Sequence, residues 1–332
     1  MREAYYGHES QIRGVEEVRL VGGKGDGMRL FQVRNGKGLE FTVSADRCAD
    51  ISRLSFKGDN YSYFSAAGYV APAYYDDQGL GWLKSFTCGL FTTCGLDYLG
   101  APCEDNGEAL GLHGRIGNQP AERIYWDEDE EKIWLRAHVW QAQIFGRKLE
   151  LVRTITVFKD RNEILIDDAV TNHADCRSPL MILYHMNMGY PLLSENAELY
   201  IPAQSVKARD AHAAEDLTTW NKVLTPTPGF AEQCYFHTFT GKEGLAAIYN
   251  PDIAKGLAIR FDTATLDCFT QWKMMGVKDY VMGLEPGNCY PDGRPAARAD
   301  GSLKYIEPGE TVRFHMHLTA IDGAEQWNRV KG

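Results

Sequence analysis

A chain of 332 residues with 44% hydrophobic and 24% charged side chains is long enough to bury a large core and has a globular composition. No apolar run approaches the roughly 18 residues that a membrane helix needs, so no membrane partner is expected. A formal charge of −10 at pH 7 sets up a field that repels phosphates, which argues against nucleic acid and for a neutral or modest-sized small molecule as partner.

The opening MREAYYGHES lacks the basic then apolar order of a secretory leader, so a cytoplasmic protein is expected. RLFQVRNGKGLEFTVSA, from Arg29, is two alternating runs around a glycine-containing turn and predicts a hairpin. The eight cysteines are dispersed without a C-x-x-C pair, and most are expected to be small buried hydrophobes. From Lys132 the runs KIWLRAHVWQAQ, KLELVRTITVF and EILIDDAVTNH predict an antiparallel meander. Helical periodicity is scarce, and DAHAAEDLTTWNKVL from Asp210 is its best example. A second strand pair, GLAAIYN and GLAIRFD, precedes a closing strand, ETVRFHMHLTAI, that follows the turn at Pro308 and Gly309. No linker, low-complexity tract or repeat divides the chain, so residues 1–332 are expected to form one all-β domain, a large antiparallel β-sandwich with few short helices.

Polar groups interrupt this pattern at four places. GLHGRIGNQPAER sets His113 and Arg115 among glycines, where backbone can approach a ligand, although a loop histidine satisfied by a carbonyl would look the same. In LMILYHMNMGYPLL, His185 and Asn187 share a parity and so one strand face, with a hydrogen-bonded core histidine as the alternative. In GLEPGNCYPDGR, Pro286 keeps Glu285 out of the helical region and predicts an extended glutamate where a strand gives way to a loop; loop punctuation is the plain alternative. His315 and His317 in FHMHL have no third ligand in sequence and predict an exposed strand face in place of a metal site. Upstream of Glu285, Trp272 offers a face that could stack on a sugar ring or fill a core. The chain carries no phosphate loop, dinucleotide fingerprint or nucleophile elbow.

In chain order these places resemble the aldose 1-epimerase, or galactose mutarotase-like, superfamily. LHG at His113, YHMN at His185, LEPGNCYPD at Glu285 and the terminal turn EPGETVRF match its motifs in the right order over nearly the whole chain. The chain is more similar still to a branch known as a domain of unknown function, through ADRCADISRL around Arg47 and GLFTTCGL followed by LHGR. The resemblance implies a sandwich enzyme that interconverts sugar anomers without cofactor or metal, with Glu285 as base, His185 as acid and His113 orienting the oxygens. Arg47, Arg115, Asn187, Glu232 and Trp272 are then the substrate-binding candidates; Lys273 is a second candidate proton donor, although an exposed lysine is the safer reading. A homo-oligomer is compatible with all of this. The chain departs from the well-studied mutarotases in three ways. SFTCGLFTTCGLDYLG has no arginine-rich turn, Glu232 in EQCYFH stands where they carry aspartate, and Tyr184 precedes the second histidine. The alternatives are a sugar-binding sensor without turnover and another sugar isomerase or lyase, metal-dependent through the histidine pairs.

Overall fold

The computed structural model describes residues 3–332; Met1 and Arg2 of the opening segment lie outside the described residues. The expected hairpin forms from Arg29–Arg34 and Leu39–Ser44, within a five-stranded sheet that runs from Gly14–Arg19 to Asp59–Asn60. The meander Ala121–Glu128, Lys132–Ala142, Lys148–Phe158 and Glu163–Asn172 forms one half of an eight-stranded sheet. Thr311–Asp322, Lys255–Asp262, Glu243–Asn250 and Glu198–Tyr200 complete it. The period-2 pattern works here as a half-buried sheet demands, since Leu149, Leu151, Ile155 and Val157 of Lys148–Phe158 all point into the core.

A six-stranded antiparallel sheet faces it, in the spatial order Ser205–Ala208, Gln233–Thr238, Cys268–Met275, Tyr280–Gly287, Met181–Met188, Phe91–Leu96. Met181–Met188 and Tyr280–Gly287 are buried along their whole lengths because the sheet is covered on both faces. One cover is the main core, which draws residues from all three large sheets, for example Val43, Ile155 and Ile182. The other includes Trp82, Phe86 and Leu112, which pack with Met181 and Leu183 in a second cluster.

Arg153 breaks the apolar parity of its strand. It is buried directly across from Asp168 and makes ion pairs of 2.6 Å with Asp168 and 2.5 Å with Asp50. Tyr184 donates its hydroxyl to Asp168 at 2.7 Å, and Thr93 bonds both Asp50 and Arg153. The His185 strand is thereby anchored from its core side. The predicted helix at Asp210 shrinks to Ala211–Glu215, capped by the Asp210 side chain accepting from the Ala213 amide, and a 3-10 turn at Leu217–Thr219. Among the described residues no helix is long and apolar enough to cross a membrane. All eight cysteines are free, and five of them are buried.

Candidate active site

Antiparallel register gathers the site. Thr270 pairs with Glu285, and the pairs Leu183 with Gly287 and Asn187 with Gly283 set His185 directly across from Glu285. Between those two pairs the ladder carries no further partner, because Pro286 has no N–H to offer. Glu285 is extended, as the following proline requires, but it lies inside the interior strand Tyr280–Gly287 and not at the loop. Thr270, Glu285 and His185 form one row across three strands, with Cys234, Trp272, Gly283 and Asn187 in the next row of the same face. Gly283 leaves room for the carboxyl: a Cβ there would overlap Glu285 Oε1 and sit 2.8 Å from Trp272 Cβ.

His113 arrives from a loop. Its backbone takes the left-handed conformation with φ 56°, and Gly114 follows with φ 77° where a Cβ would collide with the Gly95 and Tyr98 carbonyls. The His113 ring then stands edge-on to Trp82 at 4.9 Å and to His185 at 5.8 Å between centroids. Phe86 and Trp272 each contact the His185 ring edge-on at 5.1 Å.

These groups line a cavity of about 310 Å³, large enough for a small polyhydroxylated ligand and walled on one side by Trp82, Phe86 and Leu112. Three sealed polar atoms at this cavity have no hydrogen-bond partner: His113 Nδ1, Thr270 Oγ1 and Glu285 Oε1. Buried polar groups are almost always paired, so three unpaired atoms gathered at one cavity single it out as the candidate site. Glu232 stands at the wall, accepting from Trp272 Nε1 at 2.7 Å and from Arg209 at 3.2 Å. Burial, with a further contribution from Glu232, pushes the Glu285 carboxyl well above its usual range. Burial pushes His113 down to about 4, and burial with repulsion from His113 takes His185 down to about 3. Burial thus disfavours the charged form of both partners, the carboxylate and the imidazolium.

Of the expected site residues, the cavity brings together His113, His185, Glu232, Trp272 and Glu285, with Asn187 behind His185. Arg47 and Arg115 lie elsewhere. Arg47 is buried and spends its donors on the carbonyls of Gly117, Val70 and Ser85, at 2.8, 3.0 and 2.8 Å, so it ties loops together. Arg115 pairs with Asp77 at 3.3 Å beside a separate polar crevice. Lys273 is not exposed. It is buried on the opposite face of its strand, with Nζ directed at the Thr219 carbonyl 3.4 Å away. His315 and His317 pair across the sheet with Asp167 and Glu163, and no group of three or more metal-binding side chains occurs among the described residues. Trp82, Phe86, Arg209, Cys234 and Thr270 also line the cavity; of these, Thr270 carried a signal in its shared parity with Trp272, and Cys234 in its shared parity with Glu232.

The sequence profile of the family described as Domain of unknown function (DUF4432) matches residues 25–320. The chain belongs to this family. A search of curated proteins gave no match. Among solved structures, the chain is similar to a "putative aldose 1-epimerase" from Klebsiella pneumoniae subsp. pneumoniae MGH 78578, with TM-score 0.91 and 28% identity over 97% of this chain and 88% of that one. It shares its fold with a galactose 1-epimerase from Lactobacillus acidophilus NCFM, at TM-score 0.64 and 13% identity, covering 94% of this chain and 99% of that one. A galactose mutarotase-like protein from Clostridium acetobutylicum gives TM-score 0.68 and 11% identity, with 94% and 99% covered. The DUF4432 chain therefore has the galactose mutarotase-like fold.

Proposed function

We propose that this DUF4432 protein is a cofactor-independent isomerase of the aldose 1-epimerase type, which interconverts the anomers of a free sugar. Opening a hemiacetal requires one group to take the C1 hydroxyl proton while another protonates the ring oxygen; rotation about C1–C2 and reclosure give the other anomer. Glu285 and His185 are the exchanging pair, and His113 polarises an oxygen. The observation that carries the reading is the pairing of His185 across from Glu285, 3.1 Å apart at Nδ1 and Oε1, in a cavity that also holds the orphaned His113 and Thr270 atoms. Trp272 and Glu232 supply a ring face and a hydroxyl acceptor at the cavity wall. The common core of the three large sheets favours one unit over the described residues, 3–332.

The test is NMR exchange between α and β anomers, run on the sugars that raise the melting temperature. Glu285→Gln and His185→Asn should each slow enzymatic exchange by about two to four orders of magnitude with sugar binding largely kept. Because the two act as a unit, the double variant should be little worse than either. A wild-type protein that binds a sugar yet exchanges its anomers no faster than buffer would make it a sensor.

A further inference from the structure

We propose that Asn187 is a positioning residue that fixes the tautomer of His185, holding the proton on Nδ1 and leaving Nε2 bare toward the cavity, so that His185 accepts and Glu285 donates. Asn187 Nδ2 donates to the His185 backbone carbonyl at 2.7 Å. Turning the amide over would set oxygen against oxygen, so the atom 2.8 Å from His185 Nδ1 is Oδ1, an acceptor. An acceptor facing a ring nitrogen requires that nitrogen to carry its hydrogen. Nε2 has no protein partner and is not among the sealed atoms, so in the neutral ring its lone pair opens into the cavity that His185 lines.

Glu285 is constrained by the same hydrogen. Its Oε1 lies 3.1 Å from Nδ1, but the N–H there is aimed at Asn187, and no donor among the described residues reaches either carboxyl oxygen. Oε1 is sealed without a donor, which makes ionising the carboxyl costly, whereas a carboxylic acid brings its own hydrogen. His113, Glu232 with its partner Arg209, and the thiols of Cys88, Cys94 and Cys234 are the titratable and charged groups around the pair, and none donates to Glu285. The ring-opening step rests on the function proposed above. His185 Nε2 takes the O1 proton, C1=O1 forms, the C1–O5 bond breaks and O5 receives the Glu285 proton; closure returns both protons.

Activity against pH cannot separate this from the opposite assignment, because both protonation patterns hold the same number of protons. Spectroscopy can. In protein labelled with ¹⁵N-histidine, assigned by loss of signal in His185→Asn, His185 at about pH 7 should show a protonated Nδ1 and an unprotonated Nε2. Infrared spectra should show a carboxylic acid C=O band that Glu285→Gln removes. Asn187→Leu should lose the single tautomer and lower kcat about tenfold or more with KM little changed, and Asn187→Asp, which keeps an acceptor, should hold the Nδ1 proton. A proton on Nε2, two protonated nitrogens without an acid band, or an unchanged tautomer in Asn187→Leu would overturn the proposal. These spectra need no substrate, so a failure to exchange anomers would strike the proposed function and leave the tautomer standing or falling on its own data.

Discussion

Glu285→Gln should stabilise the protein, and by an amount that grows with pH. The folded carboxyl is raised above its ordinary 4.5 by burial first and by Glu232 second. The stability that such a group contributes is fully present below about pH 4.5 and is lost as pH rises toward the folded value, because the unfolded chain gives up its proton while the folded chain keeps it. In that window wild type loses about 1.4 kcal/mol per pH unit relative to a variant with no titrating group at 285. From about pH 5 to about pH 7 the gap should widen by up to about 2.7 kcal/mol. With about 2.1 cal/mol/K of unfolding entropy per residue over 332 residues, that is about 4 °C in melting temperature. His113 and His185 act in the other direction. Both are depressed from 6.5, to about 4 and about 3, so their stability is fully present above about pH 6.5 and drains away as pH falls toward the folded values. They are common to both proteins, and the difference isolates Glu285. Urea unfolding of the two proteins at pH 5, 6 and 7 is the assay. A gap that stays constant, or that closes toward pH 7, would mean an ionised and satisfied Glu285, and the neutral resting pair would be wrong.

Three further substitutions test the surroundings. Glu232→Ala removes the acceptor that holds Trp272 Nε1 and Arg209, so KM for a confirmed sugar should rise with kcat nearly kept; a collapsed kcat at unchanged KM would put Glu232 among the catalytic groups. Gly283→Ala drives a methyl into Trp272 and the Glu285 carboxyl and should cost about 1–3 kcal/mol of stability along with most of the exchange rate. Normal stability and turnover in that variant would show that the carboxyl lies elsewhere. Arg153→Leu strands Asp50 and Asp168 in the core and should cost about 3–5 kcal/mol in urea unfolding, whereas a loss under about 1 kcal/mol would deny the network its anchoring part.

The eight-stranded sheet was legible in the sequence because one of its faces lies outside the core, and a half-buried strand such as KLELVRTITVF writes its orientation as alternation. The six-stranded sheet was not. Met181–Met188 is buried on both faces, so its apolar run says strand without saying which neighbour, and its partners are distant in sequence, Phe91–Leu96 on one side and Tyr280–Gly287 on the other. The site divides in the same way. His185 and Asn187 were placed on one face by parity, and that parity holds. Arg47 shows the converse: an arginine that clamps three carbonyls and one that binds a sugar are the same letter, and only its bond partners tell them apart. Arg209 and Trp82 come from segments with no periodic pattern, so nothing local marked them as cavity walls.

Glu285 exposes the limit most clearly. The rule that proline holds its predecessor extended was correct, yet the companion rule that proline belongs at edges or strand ends pointed to a loop. Pro286 instead sits in an interior strand, with the Cys268–Met275 ladder intact on one side and a gap facing Met181–Met188 on the other. The missing N–H faces Tyr184, and the gap it opens runs from the pair of Tyr184 and Pro286 to that of Met186 and Leu284 with His185 and Glu285 at its centre, so the sheet gives up a backbone bond beside the place where two titratable side chains meet. A backbone bond given up in a sheet interior costs stability. The loss is understandable if its return is chemical, which is the pattern expected where a fold breaks its own local rules at a working site.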